Sequence, residues 1–170
     1  TEADQAPQHP QITVQAVDTA AQMTSAVFEA APQSSVVIMA AAVADFTPVS
    51  VAEQKIKKST GTPEILLQPT VDILATLGAQ RTAGQVLVGF AAETNDLVEN
   101  AAKKLAAKGV DLMVANDVAA DQVGFGHDTN AVVILSATGS SEEVPLASKT
   151  EIANAVLDAA LKTFHQNSKN

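Results

Sequence analysis

An aspartate set just past an apolar run, with a cluster of lysines ten residues further on, is a pairing that can hold a phosphorylated ligand. The run is Val36-Val37-Ile38-Met39, which reads as a buried parallel strand, and the small residues Ala40-Ala41-Ala42 past its end let a ligand approach the backbone closely. Asp45 then stands at the strand's mouth, and Lys55-Ile56-Lys57-Lys58 opens into the loop Ser59-Thr60-Gly61-Thr62-Pro63, where backbone freedom lets ammonium groups swing over an anion. Taken singly, Asp45 reads as a turn former and the lysines as solvated surface. Taken together they carry more weight, because the chain has 10 Lys+Arg against 19 Asp+Glu and three of those cations fall within four residues. A carboxylate for a metal and mobile lysines for phosphates suggest a nucleotide.

The elements that must position these groups follow from periodicity. Residues 1–10 form a polar lead-in, and Ile12 to Val17 alternates like a strand. A helix from Thr19, its cap, to about Ala30 is stopped by Pro32, and a strand follows at about 35–40. Glu64 to Gln68 is extended and, with Val51 to Ile56, suggests a two-stranded arm outside the main sheet. A helix at 71–81, a strand at 86–90, a helix at 96–108, strands at 111–115 and 131–136 and a helix at 149–164 complete the pattern. Such alternation predicts an α/β fold, a Rossmann-like doubly wound, mostly parallel sheet over residues 11–165.

In such sheets ligands bind beyond the carboxyl ends of the strands. Asp45, Glu93-Thr94-Asn95 and Asn116-Asp117 all fall there, although Thr94-Asn95 and Asp117 read equally as helix caps and Phe90 as core. Lys104 and Lys108, four apart on one helix, share a face that suits a polyanion or a polar base if it borders the crevice, and solvent otherwise.

Composition narrows the classes. A net charge of −9 argues against a nucleic-acid or anionic-membrane surface. Without Cys there is no disulfide and no thiolate nucleophile, which suits a cytoplasmic protein, and His9, His127 and His165 are too scattered for a zinc site. No apolar stretch is long enough to span a membrane. A nicotinamide oxidoreductase would need G-x-G-x-x-G between a strand and a helix, and the sequence has none. A non-catalytic, dimerising nucleotide-binding module stays open as an alternative.

The segments Ala41-Ala42-Val43-Ala44-Asp45, Lys55-Ile56-Lys57-Lys58, Asp72-Ile73-Leu74, Val88-Gly89-Phe90-Ala91-Ala92-Glu93-Thr94 and Asp111-Leu112-Met113-Val114-Ala115-Asn116-Asp117, with Gly124-Phe125 and Asp128-Thr129-Asn130 after them, resemble in order the bacterial phosphopantothenate–cysteine ligase family. The resemblance implies CTP-dependent ligation of 4′-phosphopantothenate and cysteine through an acyl-cytidylate, in coenzyme A synthesis, often beside a flavin-dependent decarboxylase in one bifunctional protein. It implies that Met39, Ala40 and Ala41 line the nucleotide with backbone and that Asp45 meets the nucleotide or its Mg²⁺. Lys55 would be the catalytic lysine at the phosphates. Val71, Asp72, Ile73 and Leu74 would offer helix N-terminal N–H groups, and Phe90, Lys104 and Lys108 would contact CTP. The preference for CTP rests on the resemblance alone. A homodimer is implied too, and the apolar arm residues Val51, Ile56, Ile65, Leu66 and Leu67 call for covering of that kind. The chain departs from the family in lacking its leading strand, Gly-rich loop and Arg/Asn segment, so the expectation is a fragment that binds nucleotide weakly and does not turn over alone. It also has Thr70-Val71 where many members have a pair such as Asn-Pro.

Overall fold

A computed structural model describes residues 9–51, 54, 64–117 and 128–169. Helix α1 (Ala20–Ala30) is set by a capping box in which Thr19 and Gln22 satisfy each other's backbone N–H groups. A 3₁₀ turn at Ala31–Gln33 carries Pro32 and closes it. Then follow β1 (Val36–Met39), the short strands β2 (Phe46–Pro48) and β3 (Leu67–Pro69), α2 (Ile73–Gln80), β4 (Val86–Glu93), α3 (Leu97–Lys108), β5 (Leu112–Asp117), β6 (Thr129–Ser136), β7 (Ser141–Ser148) and α4 (Lys149–Asn167).

The main sheet has the order β1-β4-β5-β6-β7. Its first three strands are parallel and its last two antiparallel, so the expected doubly wound α/β sheet is present in mixed form. Helices cover both faces. Leu87, Ala91, Met113 and Ala115 pack with α1, α2 and α3, while Val86, Val88, Leu112 and Val114 pack with Ile152, Val156 and Ala160 of α4. The alternation along β4 and β5 is therefore the physical divide between two cores.

Three expectations need correction. Ile12 to Val17 forms no strand, and Ile12 and Val14 are exposed; alternation supplies a face but not a partner, and none of the described strands takes it. The arm pairs Phe46–Pro48 with Leu67–Pro69, earlier in the chain than expected, with Val49 adding a bond to Leu66; of the segment from Val51 to Ile56, only Val51 and Gln54 are described. Strand β7 was not foreseen, because Ser141-Glu142-Glu143 and Pro145 lack a strand's apolar pattern. An edge position admits such residues, since one side of the strand needs neither apolar cover nor an N–H donor.

Two glycines set how closely the layers approach. A Cβ on Gly78 in α2 would lie 1.9 Å from the Lys108 carbonyl oxygen at the end of α3, and one on Gly89 would lie 2.5 Å from Leu74 Cδ2. Helix α3 ends at Gly109 in the left-handed region, φ 63°, which turns that carbonyl toward α2. At the same end of the sheet Asp111 accepts from Arg81 and from the Leu87 N–H, each at 2.8 Å, and buried Gln85 donates to the carbonyls of Ala31 and Ser34. These polar ties join α2, the 3₁₀ turn and the strand starts.

In an ordinary helix Gly→Ala stabilises by about 1 kcal/mol. Gly78→Ala is expected to reverse that sign and cost about 3 kcal/mol, because a backbone carbonyl must move. Gly89→Ala should cost less, since the obstacles are the ends of Leu74 and Met113. Urea unfolding of the two variants checks the order, and equal stability for Gly78→Ala and wild type would refute the contact.

Candidate functional site

Parallel pairing brings the carboxyl ends of β1, β4 and β5 to one edge: Met39 is in register with Gly89, Ala92 with Asn116, and Glu93 with Asp117. Met39 is half-buried against the α1–α3 core, and Ala40 and Ala41 are exposed just beyond it. Asp45 lies at the root of the arm, exposed, with no hydrogen bond or ion pair to its carboxylate among the described residues. Its backbone is fastened to the entry of α2: Thr70 N–H donates to the Asp45 carbonyl at 2.9 Å and Thr70 Oγ1 to the Ala44 carbonyl at 2.5 Å. Thr70 thus clamps the turn carrying Asp45 against the start of α2.

Asp72 caps α2, its Oδ1 accepting from Ala75 N–H at 3.0 Å. The amides of Ile73 and Leu74 precede the helical ladder and have no partner among the described residues, so two of the helix's donors remain for an anion. Ile73 itself is buried and Leu74 packs over Gly89; their contribution is backbone, while Val71 is exposed.

Helix α3 runs downward from the same edge, and helical side chains lean toward the N-terminus. That tilt carries the ammonium of Lys104 back toward the end of β4 and that of Lys108 toward the cap of α2. Lys104 Nζ lies 2.7 Å from Glu93 Oε1, with side chains 48% and 12% exposed. Lys108 pairs with Asp72 Oδ2, the two being 29% and 49% exposed. Lys103 instead meets Glu99 on the open surface. Lys104 and Lys108 are thus each already matched to a carboxylate.

Desolvation works to raise the Asp72 pKa, but the Lys108 hydrogen bond, the Ala75 N–H and the Lys108 charge together outweigh it, and the carboxyl is held below its ordinary value of 3.8.

Phe90 stands apart from the lysines. It lies on the α4 face of β4, beyond the reach of that helix, and is 36% exposed on a strand paired on both sides. It is not a core residue. It follows the Met39–Gly89 register pair and lies on the opposite face of β4 to Glu93. Lys55, with Lys57 and Lys58, lies outside the described residues. The cap expected from Thr94-Asn95 falls to Asp96, in the left-handed region at φ 47°, while Asn100 donates to the Asn95 carbonyl.

No three His, Asp or Glu side chains converge on a cation position among the described residues. Asp45 alone fits Mg²⁺ that is carried chiefly by phosphates and water, since that ion commonly takes one or two carboxylates.

A family model described as the DNA/pantothenate metabolism flavoprotein C-terminal domain matches residues 2–164. The chain belongs to this family. The coenzyme A biosynthesis bifunctional protein CoaBC of Bacillus subtilis (strain 168) is 49% identical over 141 residues, 83% of this chain and 34% of that protein. A cysteine/cysteine sulfinic acid decarboxylase of an unknown prokaryotic organism is 40% identical over 159 residues, 94% of this chain and 44% of that protein. The chain therefore spans less than half the length of either relative. Among solved structures, the C-terminal domain of CoaBC superposes with a TM-score of 0.70 at 34% identity, covering 91% of this chain and 65% of that one. Family membership thus agrees with the resemblance read from the motifs. None of the described helices is long and apolar enough to cross a membrane.

Glu93 and Gly78 were the residues that sequence reasoning undervalued. Glu93 read as part of a polar strand end, and its link to Lys104 crosses from strand to helix, a relation no local spacing reveals.

Asp72 stabilises the fold above its ordinary carboxyl range, and that contribution is lost as pH falls through its lowered native value, below 3.8. Because half the side chain is exposed, solvent screens the pair, and Asp72→Asn should cost under about 1 kcal/mol at pH 7. Asn keeps the cap, whereas Asp72→Ala removes it and should cost about 1 kcal/mol more. Chemical denaturation from pH 7 to 2.5 checks this: the gap between wild type and Asp72→Asn should close below pH 3.8, and a gap that persists at the acid end would refute it.

Proposed function

We propose that this chain is the CTP-dependent phosphopantothenate–cysteine ligase unit of coenzyme A biosynthesis. The observation that carries the reading is the pairing, in a member of this family, of Lys104 with Glu93 at the end of β4 and of Lys108 with Asp72 at the cap of α2, next to the amides of Ile73 and Leu74. The resemblance supplies the chemistry. The carboxylate of 4′-phosphopantothenate attacks the α-phosphorus of CTP, the bond to the bridging oxygen breaks, and pyrophosphate leaves with that electron pair. The cysteine amine then attacks the acyl carbon of the acyl-cytidylate, CMP departs, and the amine proton is released.

Neither step needs a covalent enzyme nucleophile, so the protein's contribution is orientation and charge. The α2 amides and Lys55 are assigned to phosphate oxygens, Lys104 and Lys108 to the nucleotide beside them, and Ala40, Ala41 and Phe90 to its flank. When Mg²⁺ accompanies the nucleotide, it supplies charge neutralisation at the phosphates, and Asp45 would hold it. By the resemblance, a flavin-dependent decarboxylase would form the other half of such bifunctional proteins.

Exposed Val51, Ile65, Leu66 and Leu67 on and beside the arm favour a second copy of the chain as their cover, and we propose a symmetric homodimer. Light scattering at micromolar concentration should give twice the chain mass; a monomer would overturn the proposal.

Isothermal titration with CTP in Mg²⁺ tests the nucleotide reading, with NAD as the contrast. Binding of CTP but not NAD is expected. Binding of NAD alone would favour an oxidoreductase, and binding of neither would overturn the nucleotide reading. Lys55→Ala should weaken CTP binding while changing stability by about 0.5 kcal/mol or less; unchanged affinity would remove Lys55 from the phosphate site.

A further inference from the structure

The last residue of β4 is an acid that the ligation chemistry above does not use. Glu93 lies on the face shared with Leu87, Gly89 and Ala91, and its Oε1 is sealed from solvent without an aligned hydrogen bond. Its charged contact among the described residues is the Lys104 ammonium at 2.7 Å. Register sets a second acidic position, Asp117, beside it on β5. The other cations of α3 are engaged elsewhere, Lys103 with Glu99 and Lys108 with Asp72.

The pair is asymmetric. Lys104 is half exposed and would be hydrated wherever it pointed, whereas Glu93 is largely buried and loses its counter-charge if Lys104 swings away. The carboxylate therefore holds the ammonium at the mouth of β4. An ammonium has three donors, so the contact with Glu93 leaves others for a ligand. A lysine already ordered loses less side-chain freedom when that ligand arrives.

We propose that Glu93 is a positioning residue for nucleotide binding, acting through Lys104. This rests on the reading of Lys104 as a nucleotide contact. The opposing effect is plain: a carboxylate near phosphates repels them. With Lys104 in place, positioning dominates; with Lys104 removed, only repulsion remains. The effect of neutralising Glu93 should therefore change sign with the lysine.

The experiment is a double-mutant cycle in CTP affinity, by isothermal titration in Mg²⁺, with wild type, Glu93→Gln, Lys104→Ala and the double variant. Lys104→Ala should weaken binding about tenfold and Glu93→Gln about fivefold. The double variant should bind about two- to threefold more tightly than Lys104→Ala alone. Equal weakening by Glu93→Gln in both backgrounds, or unchanged or tighter binding in the wild-type background, would overturn the positioning role while leaving the nucleotide reading intact. Wild-type affinity in Lys104→Ala would overturn both the role and the placement of Lys104 at nucleotide. Should Glu93→Gln fail to fold, Glu93→Asp keeps the charge but shortens its reach, and an affinity between those of wild type and Lys104→Ala is expected; wild-type affinity would overturn the role.

Discussion

The crossing of α2 over the end of α3 has no slack. Gly78 meets the carbonyl of Lys108 so closely that no side chain fits between them, and Gly89 lets Leu74 settle onto β4. Both contacts set the height of α2 above the sheet. They thereby set where Asp72 and the amides of Ile73 and Leu74 stand relative to the ends of β1 and β4. A helix displaced outward by a methyl group would carry the cap away from Lys108 and the amides of Ile73 and Leu74 away from the strand ends. Dense packing transmits such a shift instead of absorbing it.

Charge is arranged with similar economy. In a chain with 10 cationic and 19 acidic side chains, a nucleotide site must draw on few lysines. Lys104 and Lys108 both leave α3, each beside a carboxylate from a different element, Glu93 on β4 and Asp72 at the cap of α2. The pairing tempers local attraction for any passing anion and gives the ammonium groups defined directions. Selectivity of this kind depends on geometry more than on net field.

The site also straddles the sheet. Strand alternation puts Phe90 and Ala92 on the α4 side and Glu93 on the α3 side, so a ligand touching both Phe90 and Lys104 must lie across the strand ends. A crevice beyond the carboxyl ends of parallel strands permits that, because backbone ends there and both faces open onto the same space.

Much of this was legible in the sequence. Thr19 before an apolar-periodic segment, Pro32 after it, and the apolar runs of β1, β4 and β5 determined the alternating elements, because caps, breakers and buried strands are local chemistry. The spacing of Lys104 and Lys108 determined that they share a helical face. Tertiary structure alone decided which groups answer them. Glu93 is joined to Lys104, Asp72 to Lys108 and Thr70 to Ala44 only when strand, helix and loop are packed together, and nothing in local spacing encodes that distance. The same reason separates Ile12–Val17, which has a strand's alternation and no strand partner among the described residues, from β7, which has a partner and little alternation. A side-chain pattern states what a segment can bury, and pairing depends on which backbone lies beside it.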